Sequence, residues 1–155
     1  MSEATQPEAR LTAENVNGTS VDGVGAADLS LYERLGGTYG ISGAVDVLVD
    51  RLFANVAVNA NEAVRAHHGN PANAPGYKFL VTAWSIEAAG GPKCYPGLDM
   101  VKAHDHLGID TAGFEAVFTE IAATLSLLNV PAGEHAEFMA LIESYRPAVV
   151  DGIAV

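Results

Sequence analysis

Among the side chains that could hold a metal or move a proton, the five histidines come first: His67, His68, His104, His106 and His135. A histidine on an amphipathic helix is ordinarily packed or solvated, so its surroundings decide whether it does chemistry. His104 has distinctive surroundings. Met100 lies one helical turn before it and Leu107 three residues after, so the three share an apolar face. An imidazole inside an apolar stripe needs a partner, and a metal centre would supply one. His106 points roughly to the opposite side. Gly90-Gly91-Pro92 stops the preceding helix, Asp99 is placed to cap the next, and Gly108 can end it in a left-handed conformation. One imidazole is thereby offered at a fixed height and angle.

Other chemistries find less support. A zinc site from His67, His68, His104 and His106 would require a second pair at i, i+4 or a carboxylate at ligand spacing, and the sequence has neither. Cys94 is the single cysteine, which excludes an intramolecular disulfide or a CxxC motif. Lys93 beside it could activate the thiol, but a loop cysteine without a role is the simpler reading. The glycine pairs are helix corners and form no phosphate-binding loop.

The elements that must position His104 are helical. Residues 1–29 are polar, acidic and without apolar period, and are expected to form a flexible extension. Residues 30–152 form the expected domain, with 153–155 as a tail. Ser30 and Glu33 have capping-box spacing, and Gly36-Gly37 ends that first short helix. Val45, Leu48, Val49, Leu52 and Phe53 place one face of a second helix in a core. From Ala57 to Gly76 the Asn, Pro and Gly residues predict a long irregular connection that covers something. Helical spacing resumes with Tyr77, Leu80, Val81 and Trp84, then after the histidine helix with Phe114, Val117, Phe118 and Ile121, and last with Phe138, Leu141, Tyr145 and Val149. No stretch alternates as a half-buried strand would. The expectation is an all-α fold of about six helices, two of them short.

Phe53, Val81, Trp84, Phe114 and Leu125 give this bundle an apolar, aromatic lining, which suits a planar apolar cofactor better than a bare ion. Burial of a porphyrin there would contribute at about 25 cal/mol per Å², with the histidine adding iron ligation and orientation. A formal net charge of -11 repels phosphate backbones and anionic lipid, which sets nucleic acid and membrane surfaces aside. Residues 1–29 do not resemble a signal peptide and no run approaches a membrane span, so a soluble, cytoplasmic protein is expected.

Leu31-Tyr32-Glu33-Arg34-Leu35-Gly36-Gly37, then Gly90-Gly91-Pro92 with Tyr95 and Gly97, then Met100-Val101-Lys102-Ala103-His104 and Leu107-Gly108-Ile109 occur in that order. In these motifs the chain resembles the truncated haemoglobins, and is most like their first group, from Ser30 to about Asp151. The resemblance implies a two-over-two helical sandwich around haem b with His104 as the proximal iron ligand. It also implies that Tyr95, Met100, Ile109, Phe114 and Val117 line the proximal side, with Lys78 or Lys102 able to reach a propionate. On the distal side the chain departs from the family. Phe53 falls where a tyrosine is usual and Val81 where glutamine is frequent, which leaves Tyr77, one turn before Val81, as the remaining donor. His67-His68 replaces a phenylalanine pair, in a loop expected to be exposed, from which either could swing in as a sixth ligand.

The function this implies is binding of the diatomic gases O2, NO and CO, in NO/O2 chemistry or redox sensing. An electron-donating reductase would be needed for nitric oxide dioxygenation. The alternatives are a peroxidase-like haem enzyme and a globin-fold interaction or sensor protein.

Overall fold

The structure is a computed structural model that describes residues 28–155, so the expected extension over 1–29 lies almost wholly outside the described residues. The Ser30 hydroxyl accepts the N–H of Glu33 while the Glu33 carboxylate accepts the N–H of Ser30, and this reciprocal cap starts α1 (Leu31–Arg34). Helix α2 (Gly37–Ala54) turns Ile41, Val45, Val49 and Leu52 inward at steps of three and four. At its end the Asn59 amide donates to the carbonyls of Leu52, Phe53 and Asn55 at 3.0, 3.1 and 2.7 Å. One side chain thus gathers three carbonyls at the end of the helix, of which those of Leu52 and Asn55 also accept backbone N–H groups.

The stretch expected to be an irregular connection is largely helical. A 3-10 turn (Val58–Ala60), helix α3 (Glu62–His68) and a second 3-10 turn (Pro71–Asn73) lead into α4 (Ala74–Ala88). Asn61 caps α3 by accepting the N–H of Val64, Glu62 stands in its first turn, and Arg65, His67 and His68 stand in its last. Caps and charges that match the helix dipole hold this segment, since seven residues are too few to display an apolar period.

Beyond the Gly90 corner come α5 (Met100–His104), α6 (Thr111–Leu127), α7 (Ala132–Ser144) and α8 (Arg146–Val150). The last helix was expected to run through Val149 without interruption. It breaks at Tyr145, just ahead of Pro147. The described residues therefore hold eight α-helices where six were expected, and no strand.

Helix α2 packs on α4, α6 packs on α7, and α2 crosses α6, so two helix pairs lie one on the other. Their shared core contains Ile41, Val45, Val49, Ile86, Ile121, Leu125 and Phe138. Polar ties join the layers at the edge: Arg34 donates to Glu134 at 3.1 Å and to Glu137, and Arg51 to Glu120 at 2.6 Å. The Gly90-Gly91 corner sits against α1, where Tyr32 N–H donates to the Ala89 carbonyl at 2.8 Å. A Cβ at Gly91 would lie 2.7 Å from both the Tyr32 ring and the Ile86 carbonyl, so no other residue fits the corner. Helix α5 finds its main neighbour in α8.

Candidate functional site

The loop into α5 is fixed before the histidine is reached. The Glu87 carboxylate, on α4, accepts the N–H groups of both Cys94 and Tyr95 at 3.1 Å. Tyr95 donates its phenol to the Leu98 carbonyl at 2.9 Å, and Asp99 caps α5 by accepting the N–H of Lys102. After α5, Gly108 adopts φ of +59°, the left-handed value that lets the chain turn toward Asp110, the cap of α6. Between these corners His104 is half-buried, with Nδ1 2.8 Å from the carbonyl of Met100. A carbonyl only accepts, so Nδ1 carries the hydrogen and Nε2 keeps its lone pair. Burial lowers the pKa of His104, against the opposing pull of that hydrogen bond, and the ring is neutral at physiological pH. A neutral imidazole tethered through Nδ1 is the form in which histidine ligates a metal.

A second cluster forms where α2, α3 and α4 meet. The ring of His68 stacks on Phe53 with centroids 4.3 Å apart, and presents an edge to Tyr77 at 5.7 Å. Phe53 and Tyr77 are themselves 5.7 Å apart. Burial raises the Tyr77 phenol above its ordinary pKa, with no hydrogen bond contributing. Its hydroxyl is a protonated donor with no hydrogen-bond partner among the described residues. The inward face of α2 adds no donor: Ile41, Val45, Val49 and Leu52 are all buried and apolar. His67 is exposed on the helix surface, whereas His68 is half-buried on an ordered helix, in place of the exposed loop that the sequence suggested.

The remaining sequence candidates fall in several places. Val81 and Val117 pack against the common core, and Phe114 is buried in contact with Phe118. Arg146 lies over the Phe114 ring, its guanidinium carbon 4.3 Å from the ring centroid, so this aromatic is held by α8. Trp84 meets Tyr145 edge-on at 5.3 Å, at the break between α7 and α8. Met100 and Ile109 are half-buried on either side of His104. Lys78 is already committed, with Nζ 2.6 Å from Asp46 and 2.7 Å from Asp50 of α2. A cofactor carboxylate would have to compete with both. Sequence reasoning missed Asn59, which holds His68, and Asn61, whose amide donates to the Leu107 carbonyl at 2.9 Å and so ties α3 to the corner after His104. An Asn-Glu pair followed by basic residues one and two turns later was the available signal for that helix.

An apolar cavity of about 500 Å³ lies between α2, α6 and α7, walled by Leu48, Ile121, Leu125 and Phe138 among others. Neither His104 nor Tyr77 lines it. No group of three or more histidine, cysteine or carboxylate side chains among the described residues could hold a bare ion. A single prepared imidazole suits instead a metal whose other ligands arrive with it.

The model of the bacterial-like globins matches residues 30–151. The group 1 truncated hemoglobin of Tetrahymena pyriformis is 26% identical over 117 residues, 76% of this chain and 91% of that protein. Its counterpart in Tetrahymena thermophila is 26% identical over 101 residues, 65% of this chain and 78% of that protein. The crystal structure of the T. pyriformis protein in its Fe(III) form superposes with a TM-score of 0.66 at 27% identity, covering 79% of this chain and 98% of that one. The 2/2 hemoglobin of a Synechococcus species, solved in the cyanomet state with covalently attached heme, gives 0.63 at 26% identity over 79% and 99%. The chain belongs to the bacterial-like globins and, among them, to the truncated globins.

Proposed function

We propose that this truncated globin holds haem b between α4 and α5 and binds diatomic gases, with His104 as the iron ligand on the proximal side. The observation that carries this is the His104 tautomer: Nδ1–H is spent on the Met100 carbonyl at 2.8 Å and Nε2 is left as a lone pair. Haem iron, when bound, supplies the open coordination position at which O2, NO or CO attaches. The chain's own residues do the rest. Val81, Phe114, Val117, Met100 and Ile109 offer apolar surface against a porphyrin and exclude water, while Trp84 braces α4 against the α7–α8 break. Tyr95 closes the loop before α5 through its bond to Leu98. Tyr77 is the distal donor toward a gas, and Phe53 keeps the α2 side of the pocket dry.

The partner of Nδ1 also favours gas binding over peroxidase-like chemistry. A carboxylate there would raise the basicity of the imidazole, and a backbone carbonyl does so much less. Use in NO/O2 chemistry would require electrons from a reductase, in a cytoplasmic setting, and no helix among the described residues is long and apolar enough to cross a membrane.

Purified protein supplied with haem should show a Soret band. In His104→Ala that band should weaken or shift and be restored by added imidazole; a wild-type protein that takes up no haem would sink the proposal. Loss of the Tyr77 hydrogen bond in Tyr77→Phe should speed oxygen dissociation by up to about a hundredfold, equivalent to roughly 1–3 kcal/mol. An unchanged rate would remove Tyr77 from the distal pocket.

A further inference from the structure

The apolar cavity between α2, α6 and α7 has no part in the haem reading, since neither His104 nor Tyr77 lines it. Its wall holds no Asp, Glu, Lys, Arg or His among the described residues. Two residues from deep in the core do bring hydroxyls to it, Ser85 on α4 and Thr124 on α6, which are only 3% and 2% exposed. Thr124 donates to the Glu120 carbonyl at 2.8 Å, so its one hydrogen is spent inside α6. The Ser85 hydroxyl has no hydrogen-bond partner among the described residues, yet no buried polar side-chain atom there is sealed away without one, so this hydroxyl opens onto the cavity. A hydroxyl left unpaired in an apolar wall costs stability until something pairs with it.

The cavity opens where the start of α2 meets the end of α6, beside Tyr39 and Leu128, both exposed. Two glycines line this side, and they differ. A Cβ at Gly40 would lie 2.0 Å from the Leu35 carbonyl oxygen, so glycine is required there, whereas a Cβ at Gly43 would meet nothing within 4 Å. A larger side chain at Gly43 would lean over the entrance and leave the backbone of α2 undisturbed, with better helix propensity than glycine. As for size, a cavity of about 150 Å³ takes up benzene, so one of about 500 Å³ has room for a chain of at least about eight carbons.

We propose that this cavity is a binding site, separate from the haem, for an uncharged aliphatic molecule that carries one hydroxyl or carbonyl group. Its chain lies among the core side chains and its polar atom pairs with Ser85, which can donate or accept. An ionised head group is rejected, because its charge would leave water and meet no opposite charge in the wall.

The test titrates 1-octanol into the full chain loaded with haem and measures the heat. One octanol per chain should bind with saturation, and the Soret band should not move. Ser85→Ala should weaken binding about two- to tenfold, the loss of one hydrogen bond. Octanoate at pH 7 should bind at least about a hundredfold more weakly than octanol. Gly43→Leu should abolish the heat while its circular dichroism and haem spectrum match those of the wild-type protein. Equal octanol binding in the wild-type protein, Ser85→Ala and Gly43→Leu overturns the assignment, as does a Soret shift that puts octanol at the haem. Absence of saturable heat overturns it too, even if Gly43→Leu slows CO binding, because the cavity would then be a passage for gas alone. A chain that takes up no haem sinks the haem reading only, and the same titration then judges this site.

Discussion

Tyr77 shows how much of a side chain's role depends on what the fold withholds from it. Its ring packs against Phe53 and His68, burial raises its pKa, and no hydrogen bond among the described residues uses its hydroxyl. In the unfolded chain the same phenol ionises near pH 10. Between that value and its higher folded one, the unfolded state loses its proton first, so stability falls as pH rises through this range and is fully present below it. Urea midpoints compared at pH 9 and pH 11 should drop more in the wild-type protein than in Tyr77→Phe. Equal drops would mean that the phenol is not buried in solution. The same property keeps the donor protonated at every physiological pH. His104 was legible in the sequence because Met100, Leu107 and two glycine corners frame it. The pairing of His68 with Asn59 was not, because it rests on one side-chain hydrogen bond between residues nine apart in sequence.

At the scale of elements, local chemistry predicted what local chemistry holds. The capping box at Ser30, the Asp99 cap and the long amphipathic α2 and α6 could all be read from spacing. Helix α3 could not, since it is short, buries no residue and stands on its cap and its ties to neighbours. Asn61 carries both, accepting from Val64 and donating to Leu107 and Gly108. Asn61→Ala should cost about 1–3 kcal/mol, the loss of a helix cap together with the carbonyl contacts. Amide exchange should quicken in residues 62–68 and at 107–108 together, before any change in α6. If only the global midpoint moved, α3 would not be a separately held unit. Glu87 makes a parallel case on the other side of the histidine. Glu87→Ala removes the acceptor shared by Cys94 and Tyr95, and should loosen the 92–99 loop and lower haem retention with little effect on secondary structure by circular dichroism.

For the whole molecule, the two stacked helix pairs leave the prepared histidine on a helix whose main support is α8 rather than the central core. This arrangement makes the cofactor part of the structure that it binds. Haem present at about a hundredfold above its dissociation constant would add about 2.7 kcal/mol to the folded state by linkage alone. For a domain of this size each kcal/mol moves Tm by several degrees, so the shift is easily measured. Iron-free protoporphyrin separates the two contributions to it, because it offers the same apolar area with no metal to ligate. Haem should raise Tm further than protoporphyrin in the wild-type protein, and His104→Ala should bring the haem value down toward the protoporphyrin one. If haem and protoporphyrin stabilised the wild-type protein equally, His104 would not be bonded to iron, however well its tautomer is prepared for it.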